Sequence, residues 1–280
     1  MRISVDDLVL DAVEIGPATG EPVLLLHGFP QSSHCWREVW PPLAEAGLRV
    51  VAPDLRGYSP DARPTGAEAY RMPKLLGDVL AVLDAMGGSA HVVGHDWGAA
   101  IAWQLAVRYP ERVRSLTAVS VPHPLAFIAA LRTDADQRAR SQYMRDFAAA
   151  ETEDRLLADG AAGLREIFAD TDAVDVEHVL SIVGDPKVLR LALDYYAAAS
   201  LEDMEGLGAV TVPTLHVWSD QDRALGVAGA QATATYVTGP YRLEVLHGVT
   251  HWIPEEAPQR LAALILEQVR SVASDVTAGP

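Results

Sequence analysis

The 280-residue sequence predicts an α/β protein with a mostly parallel central sheet, helices on both faces and an inserted helical cap. Three observations predict this. Apolar runs of strand length alternate with helix-period segments up to residue 122. The rhythm stops between 123 and 207, where polar-faced helical patterns take over. It resumes at 208 and runs to 280. The expected organisation is a core of residues 1–122 and 208–280 with a cap of 123–207.

Residues 1 to about 16 read as two short strands or a hairpin. "EPVLLLHG" (21–28) is a buried strand running into a glycine turn, and "LRVVAPDLRG" (48–57) is another, with a short helix near Trp36–Ala46 between them. Leu76, Val79, Leu80 and Leu83 recur at i, i+3, i+4 and i+7, the period of an amphipathic helix. "SAHVVG" is a strand, "WGAAIAWQLAVRYP" a helix and "VRSLTAVSVP" the next strand. Strands return in "VTVPTLHVWSDQD" and "YRLEVLHGVTHW", and a closing helix carries Leu261, Leu264, Ile265, Val269 and Val272.

The formal net charge is −16, a field that repels nucleic acid and anionic membrane and excludes both as partners. Cys35 stands alone, so no disulfide framework exists, and it reads as a small buried residue. The N-terminus is too acidic and interrupted for a signal peptide, and no apolar run reaches membrane-span length. A cytoplasmic protein is expected.

Every residue suited to chemistry falls at the carboxyl end of an expected strand, where open α/β sheets bind ligands. "VVGHDWGAA" (92–100) is a strand end, a Gly-x-Asp-x-Gly turn and a helix opening on small residues. This is the spacing of a nucleophile elbow, with Asp96 where a serine is usual. Gly94 and Gly98 are expected to permit the tight turn, and the helix N-terminus behind Asp96 to keep its carboxylate ionised. Taken alone, an aspartate there is equally a common helix N-cap. "LLLHGFP" (24–30) supplies one backbone N–H of an oxyanion hole at Phe29, and Trp97 supplies the other. An acid follows "TLHVW", where Asp220 and Asp222 both qualify. A histidine follows "YRLEVLHG": His251 lies in the loop, His247 nearer the strand.

Together "HGFP", "DLRGYSP", "GHDWGA", "SVPHP", "WSDQD" and "THWIPEEAP" resemble the α/β-hydrolase superfamily over nearly the whole chain. Within it they are similar to the epoxide hydrolase and haloalkane dehalogenase branch. The resemblance implies the α/β-hydrolase fold and a triad of Asp96, Asp222 and His251, with no cofactor and no metal. An aspartate nucleophile can displace a leaving group at saturated carbon, leaving an alkyl ester that His251 hydrolyses by activating water.

The two activities differ in how the leaving group is held. A departing epoxide oxygen needs acidic donors, which cap tyrosines supply in epoxide hydrolases. "YMRDF" matches their Tyr-x-x-x-Phe stretch and implies Tyr143. "LDYY" resembles the second motif and implies Tyr196, with Tyr195 at a position where tryptophan is usual. Dehalogenases pair the tryptophan after the nucleophile with an asparagine after His-Gly or a second, cap tryptophan. Here Phe29 follows His-Gly, and no tryptophan lies in the expected cap. A fluoroacetate-type dehalogenase has an arginine where Trp97 stands. The implied activity is hydrolysis of a small apolar epoxide with water, in a monomer or a homodimer. A haloalkane-type dehalogenase is the alternative, and a non-catalytic ligand-binding relative the rival of a different class.

Overall fold

The computed structural model describes residues 1–277, with side chains to residue 272. β1 (Arg2–Val5) and β2 (Leu8–Ile15) form the expected hairpin, turning at Asp6, whose φ of 50° an aspartate tolerates. β3 (Pro22–Leu26) follows. The helix expected near Trp36–Ala46 is instead a 3₁₀ turn at Ser33–Trp36 and then α1 (Trp40–Glu45). Pro41 and Pro42 account for the split, because proline suits a first helical turn and cannot continue a helix entering it.

β4 (Arg49–Pro53), α2 (Met72–Ala85), β5 (Ala90–His95), α3 (Trp97–Arg108) and β6 (Val113–Val119) complete the first βα run. The helical insertion comprises α4 (Pro124–Thr133), α5 (Ala135–Arg140), α6 (Tyr143–Ala148), α7 (Thr152–Glu166), α8 (Val176–Val183) and α9 (Pro186–Ala198). α7 is broken at "ADGA" (158–161), where Asp159, Gly160 and Ala161 are left-handed. β7 (Thr214–Ser219), α10 (Val227–Ala232), β8 (Tyr241–Leu246), α11 (Ile253–Glu256) and α12 (Pro258–Thr277) close the chain. α10, within the glycine- and alanine-rich "GVAGAQAT", carries too little apolar periodicity for the sequence to announce it.

Among the described residues eight strands form one sheet in the order β1-β2-β4-β3-β5-β6-β7-β8. β1 and β2 are antiparallel to their neighbours, and every pairing from β4 to β8 is parallel. β3 is buried throughout because both of its faces are covered. Leu24 and Leu26 pack toward α2 and α3, against Val79, Leu83 and Ile101. Val23 and Leu25 pack on the other face with Trp36, Leu43 and the Leu261, Leu264 and Ile265 stripe of α12. Each fully buried Leu or Ile side chain contributes roughly 1.5–3 kcal/mol. This two-sided core makes the sheet rigid and aims the loops after β3, β5, β7 and β8 at one edge.

Candidate active site

Asp96 forms the turn between β5 and α3. It takes φ 52° and ψ −121°, a conformation that costs a non-glycine residue on the order of 1–3 kcal/mol. The strain falls on Asp96 itself. Gly94 and Gly98 are not in the left-handed region, so their expected role in the turn is corrected to one of close approach. A Cβ on Gly98 would lie 2.1 Å from the Leu26 carbonyl oxygen, so glycine there lets α3 pack against the end of β3. Gly28 does the same for the site: a Cβ there would lie 2.3 Å from Asp96 Oδ1. Asp96 makes no side-chain cap for α3, because its carboxylate is used elsewhere.

The two carboxylate oxygens face different groups. Oδ1 accepts a 2.7 Å hydrogen bond from the Phe29 N–H, and the Trp97 N–H also supports the carboxylate. Oδ2 lies 3.5 Å from His251 Nε2. Burial pushes the Asp96 carboxyl up, but His251, His95 and the Trp97 N–H together hold it below its ordinary range. On its other side His251 Nδ1 donates to Asp222 Oδ2 at 2.7 Å. Asp222 is fixed by Ala224 and Leu225 N–H groups on Oδ1 at 2.7 and 2.9 Å. Burial alone would lower the His251 pKa, but the two carboxylates flanking it lift it to about 10.

The other acid and histidine lie apart from this group. Asp220 Oδ2 accepts from His247 Nδ1 at 2.8 Å, in an exposed pair. Of the two alternatives left open at each position, the structure brings Asp222 and His251 to Asp96.

Two residues that sequence reasoning missed hold His251 from behind. Its carbonyl oxygen accepts from His95 Nε2 at 2.9 Å and from Ser120 Oγ at 3.1 Å. Burial, with His251 beside it, drives His95 down to about 4, so its ring is neutral and Nε2 carries the donated proton. The adjacency of His95 to Asp96 is a signal the sequence offers. Ser120, at φ 68° after β6, offers none, since only the fold brings it under the His251 loop.

Tyr143 on α6 and Tyr196 on α9 face each other across the site, ring centroids 6.1 Å apart. Burial and then the Asp96 charge push both phenols above their ordinary range, so both are protonated donors. Tyr195, the neighbour of Tyr196, turns its hydroxyl away to the Arg56 carbonyl at 2.8 Å. Trp97 sits between the two rings of α9, 5.5 Å from Tyr195 and 5.3 Å from Tyr196. Asp96, Trp97, Tyr143 and Tyr196 line a cavity of about 280 Å³ whose other walls are chiefly apolar.

Among the described residues no cluster of three or more His, Cys, Asp or Glu side chains could hold a metal ion. No helix there is long and apolar enough to cross a membrane.

Comparison with known proteins bears on the fold and the family. Residues 21–258 match the family described as alpha/beta hydrolase fold. An AB hydrolase superfamily protein of Bacillus subtilis, YfhM, is 31% identical over 278 residues, covering 96% of this chain and 97% of that protein. Epoxide hydrolase 4 of Mus musculus is 31% identical over 263 residues, covering 88% of this chain and 72% of that one. The crystal structure of a Bacillus megaterium epoxide hydrolase with an inhibitor superposes with a TM-score of 0.87 at 30% identity, over 96% of this chain and all of that one. With its elbow, its sheet order and relatives matched over most of their length, this chain belongs to the α/β-hydrolase fold family, among relatives named as epoxide hydrolases.

Proposed function

We propose that this protein hydrolyses epoxides to vicinal diols through an alkyl ester on Asp96, with residues 123–207 as the cap. One observation carries the reading. An ionised carboxylate stands at the elbow with one oxygen held by backbone N–H groups and the other facing His251, opposite two protonated phenols.

Asp96 Oδ2 attacks an epoxide carbon, the C–O bond breaks, and the departing oxygen takes a proton from Tyr143 or Tyr196. Burial holds both phenols above their ordinary range, but the same burial disfavours an aliphatic alkoxide still more, so the transfer becomes favourable as the bond stretches. The ester that forms keeps Oδ1 as its carbonyl oxygen, already seated on the Phe29 N–H, with the Trp97 N–H beside the same carboxyl group.

Esterification removes the Asp96 charge. The His251 pKa of about 10 depends partly on that charge, so it falls, the imidazolium gives its proton through water to the tyrosinate, and the neutral imidazole can act as a base. His251 takes a proton from water as its oxygen adds to Cγ. The oxyanion forms on Oδ1 at donors positioned for it. His251 returns the proton to the leaving diol oxygen, and the new carboxyl group gives its own to His251, which restores the resting carboxylate and imidazolium. The names of the relatives support the same activity.

The test is a single turnover in oxygen-18 water with enzyme in excess over styrene oxide. The label should appear in the Asp96 peptide and not in the diol. Label in the diol, with none at Asp96, would mean direct attack by water and would overturn the covalent mechanism. Halide release from haloalkanes without diol from any epoxide would replace the activity by dehalogenation.

A further inference from the structure

Asp96, Tyr143 and Tyr196 all line the cavity. Its wall is formed by Trp97, Phe127, Ile128, Leu131, Met144 and Leu201, among others, and Leu201 is 67% exposed, which marks the mouth. Behind Tyr143 and Tyr196 the space is filled by aromatic rings. Phe147 lies 5.2 Å from Phe29, 5.2 Å from Tyr143 and 5.2 Å from Tyr196 between ring centroids. Phe29 is itself 5.4 Å from Tyr196. These are contact distances for aromatic pairs, so the four side chains leave no room between them for a substituent. Phe29 is buried, and among the described residues neither it nor Phe147 lines the cavity. Tyr143 and Tyr196 belong to both sides and form the partition.

An epoxide must place its oxygen at these two hydroxyls and one carbon at Asp96 Oδ2. Its two ring carbons then straddle the partition, one toward the open cavity and one toward Phe147. A substituent on the first carbon has the apolar cavity to occupy. A substituent on the second, projecting to the other side as in a trans-1,2-disubstituted epoxide, meets the packed rings. We infer, building on the epoxide hydrolase reading, that this site is selective for terminal epoxides bearing one apolar aryl or alkyl group. Phe147 is then the residue that closes the second arm and sets the selectivity.

The test compares kcat/KM for styrene oxide and trans-β-methylstyrene oxide, which differ by one methyl group on the second carbon. The parent protein should prefer styrene oxide by at least ~10-fold, the discrimination one methyl group provides in a closed pocket. Phe147→Ala should open the arm and reduce that preference ~10-fold, chiefly by raising the rate with the trans substrate. Phe147→Leu removes the ring with less loss of packing and should move the ratio the same way if the alanine variant folds poorly. Equal turnover of both epoxides by the parent, or a ratio unmoved in folded Phe147 variants, overturns the inference and leaves the epoxide reading standing. Failure of the parent to produce diol from either epoxide overturns the reading itself, and the inference with it.

Discussion

The molecule contains two aspartate–histidine pairs built from the same two loops. Asp222 and His251 meet at 2.7 Å, and Asp220 and His247 at 2.8 Å. In sequence the acids are two residues apart and the histidines four. Burial and the company of a third charged group separate the pairs. The side chains of Asp222 and His251 are 0% and 9% exposed, against 31% and 82% for Asp220 and His247. In the buried pair a third charged group, Asp96, lies on the far side of the imidazole, and little water screens the three. The exposed pair is a surface contact of the kind that contributes little, screened by solvent and salt. Under the proposed mechanism the difference teaches that a short hydrogen bond between the right residue types does not by itself make a catalytic pair. Low dielectric and a reacting group within reach do.

The comparison is broken most severely at His251. His251→Gln should lower steady-state diol formation by on the order of 10²–10⁴-fold, the usual contribution of a general base. Because ester formation does not need the base, intact-mass measurement should show protein carrying one substrate mass. His247→Gln should turn over at the parent rate. Equal losses in the two variants would erase the distinction drawn here.

Next comes the acid. Asp222→Asn takes the orienting carboxylate from a buried imidazole and should slow ester hydrolysis by about 10²-fold or more. Asp220→Asn should change single-turnover hydrolysis less than about twofold, in keeping with the small value of exposed pairs. A larger loss in Asp220→Asn than in Asp222→Asn would reverse the roles of the two acids.

A smaller effect sharpens the comparison through pH. The folded-state pKa of His251 is raised to about 10 from an ordinary 6.5. The stabilisation it brings is fully present below pH 6.5 and is lost as pH rises through about 10. Glu255, which burial pushes up to about 8, loses stabilisation in the same direction between its ordinary range and pH 8. Melting temperatures of the parent and His251→Gln proteins should therefore converge between pH 7 and 10, whereas parent and His247→Gln should run parallel. A constant gap between parent and His251→Gln would show that His251 is not charged in the folded resting state.

The smallest effect belongs to the exposed pair itself. Asp220 is held at about 2, first by His247 and then by the Gly248 N–H and Gln221. Its stability contribution should nevertheless be small, as for most surface sites, and should fade with added salt. Urea titrations of Asp220→Asn at low and high salt measure this, and a loss that persists at high salt would contradict the surface assignment.

The amino-acid pattern alone determined the sheet-and-helix rhythm, its interruption after residue 122 and the placing of Asp96 at a strand-to-helix turn. Strand-length apolar runs and 3.6-residue periods are local properties, written in consecutive residues. It also narrowed the acid and the histidine to two candidates each, because both loops follow readable strands. Spacing alone could not choose between Asp220 and Asp222, or between His247 and His251, and the choice of Asp222 and His251 came from the family resemblance, because burial depends on how the loops after β7 and β8 pack on the rest of the chain. The same limit hid Ser120 and His95, whose partner is a carbonyl more than 130 residues away. It hid Gly28, which is required by the approach of Asp96 and not by a turn. The split near Pro41 and the break in α7 turn on single residues inside a helical pattern, which a periodicity averaged over many residues smooths away. Tyr196 and Tyr195 are adjacent letters of one motif, and a helix separates them by about 100° of rotation, 360° over 3.6 residues. Only the packing of α9 against Arg56 and Trp97 decided which tyrosine lines the cavity beside Asp96 with its hydroxyl free of the backbone and which gives its hydroxyl to a backbone carbonyl.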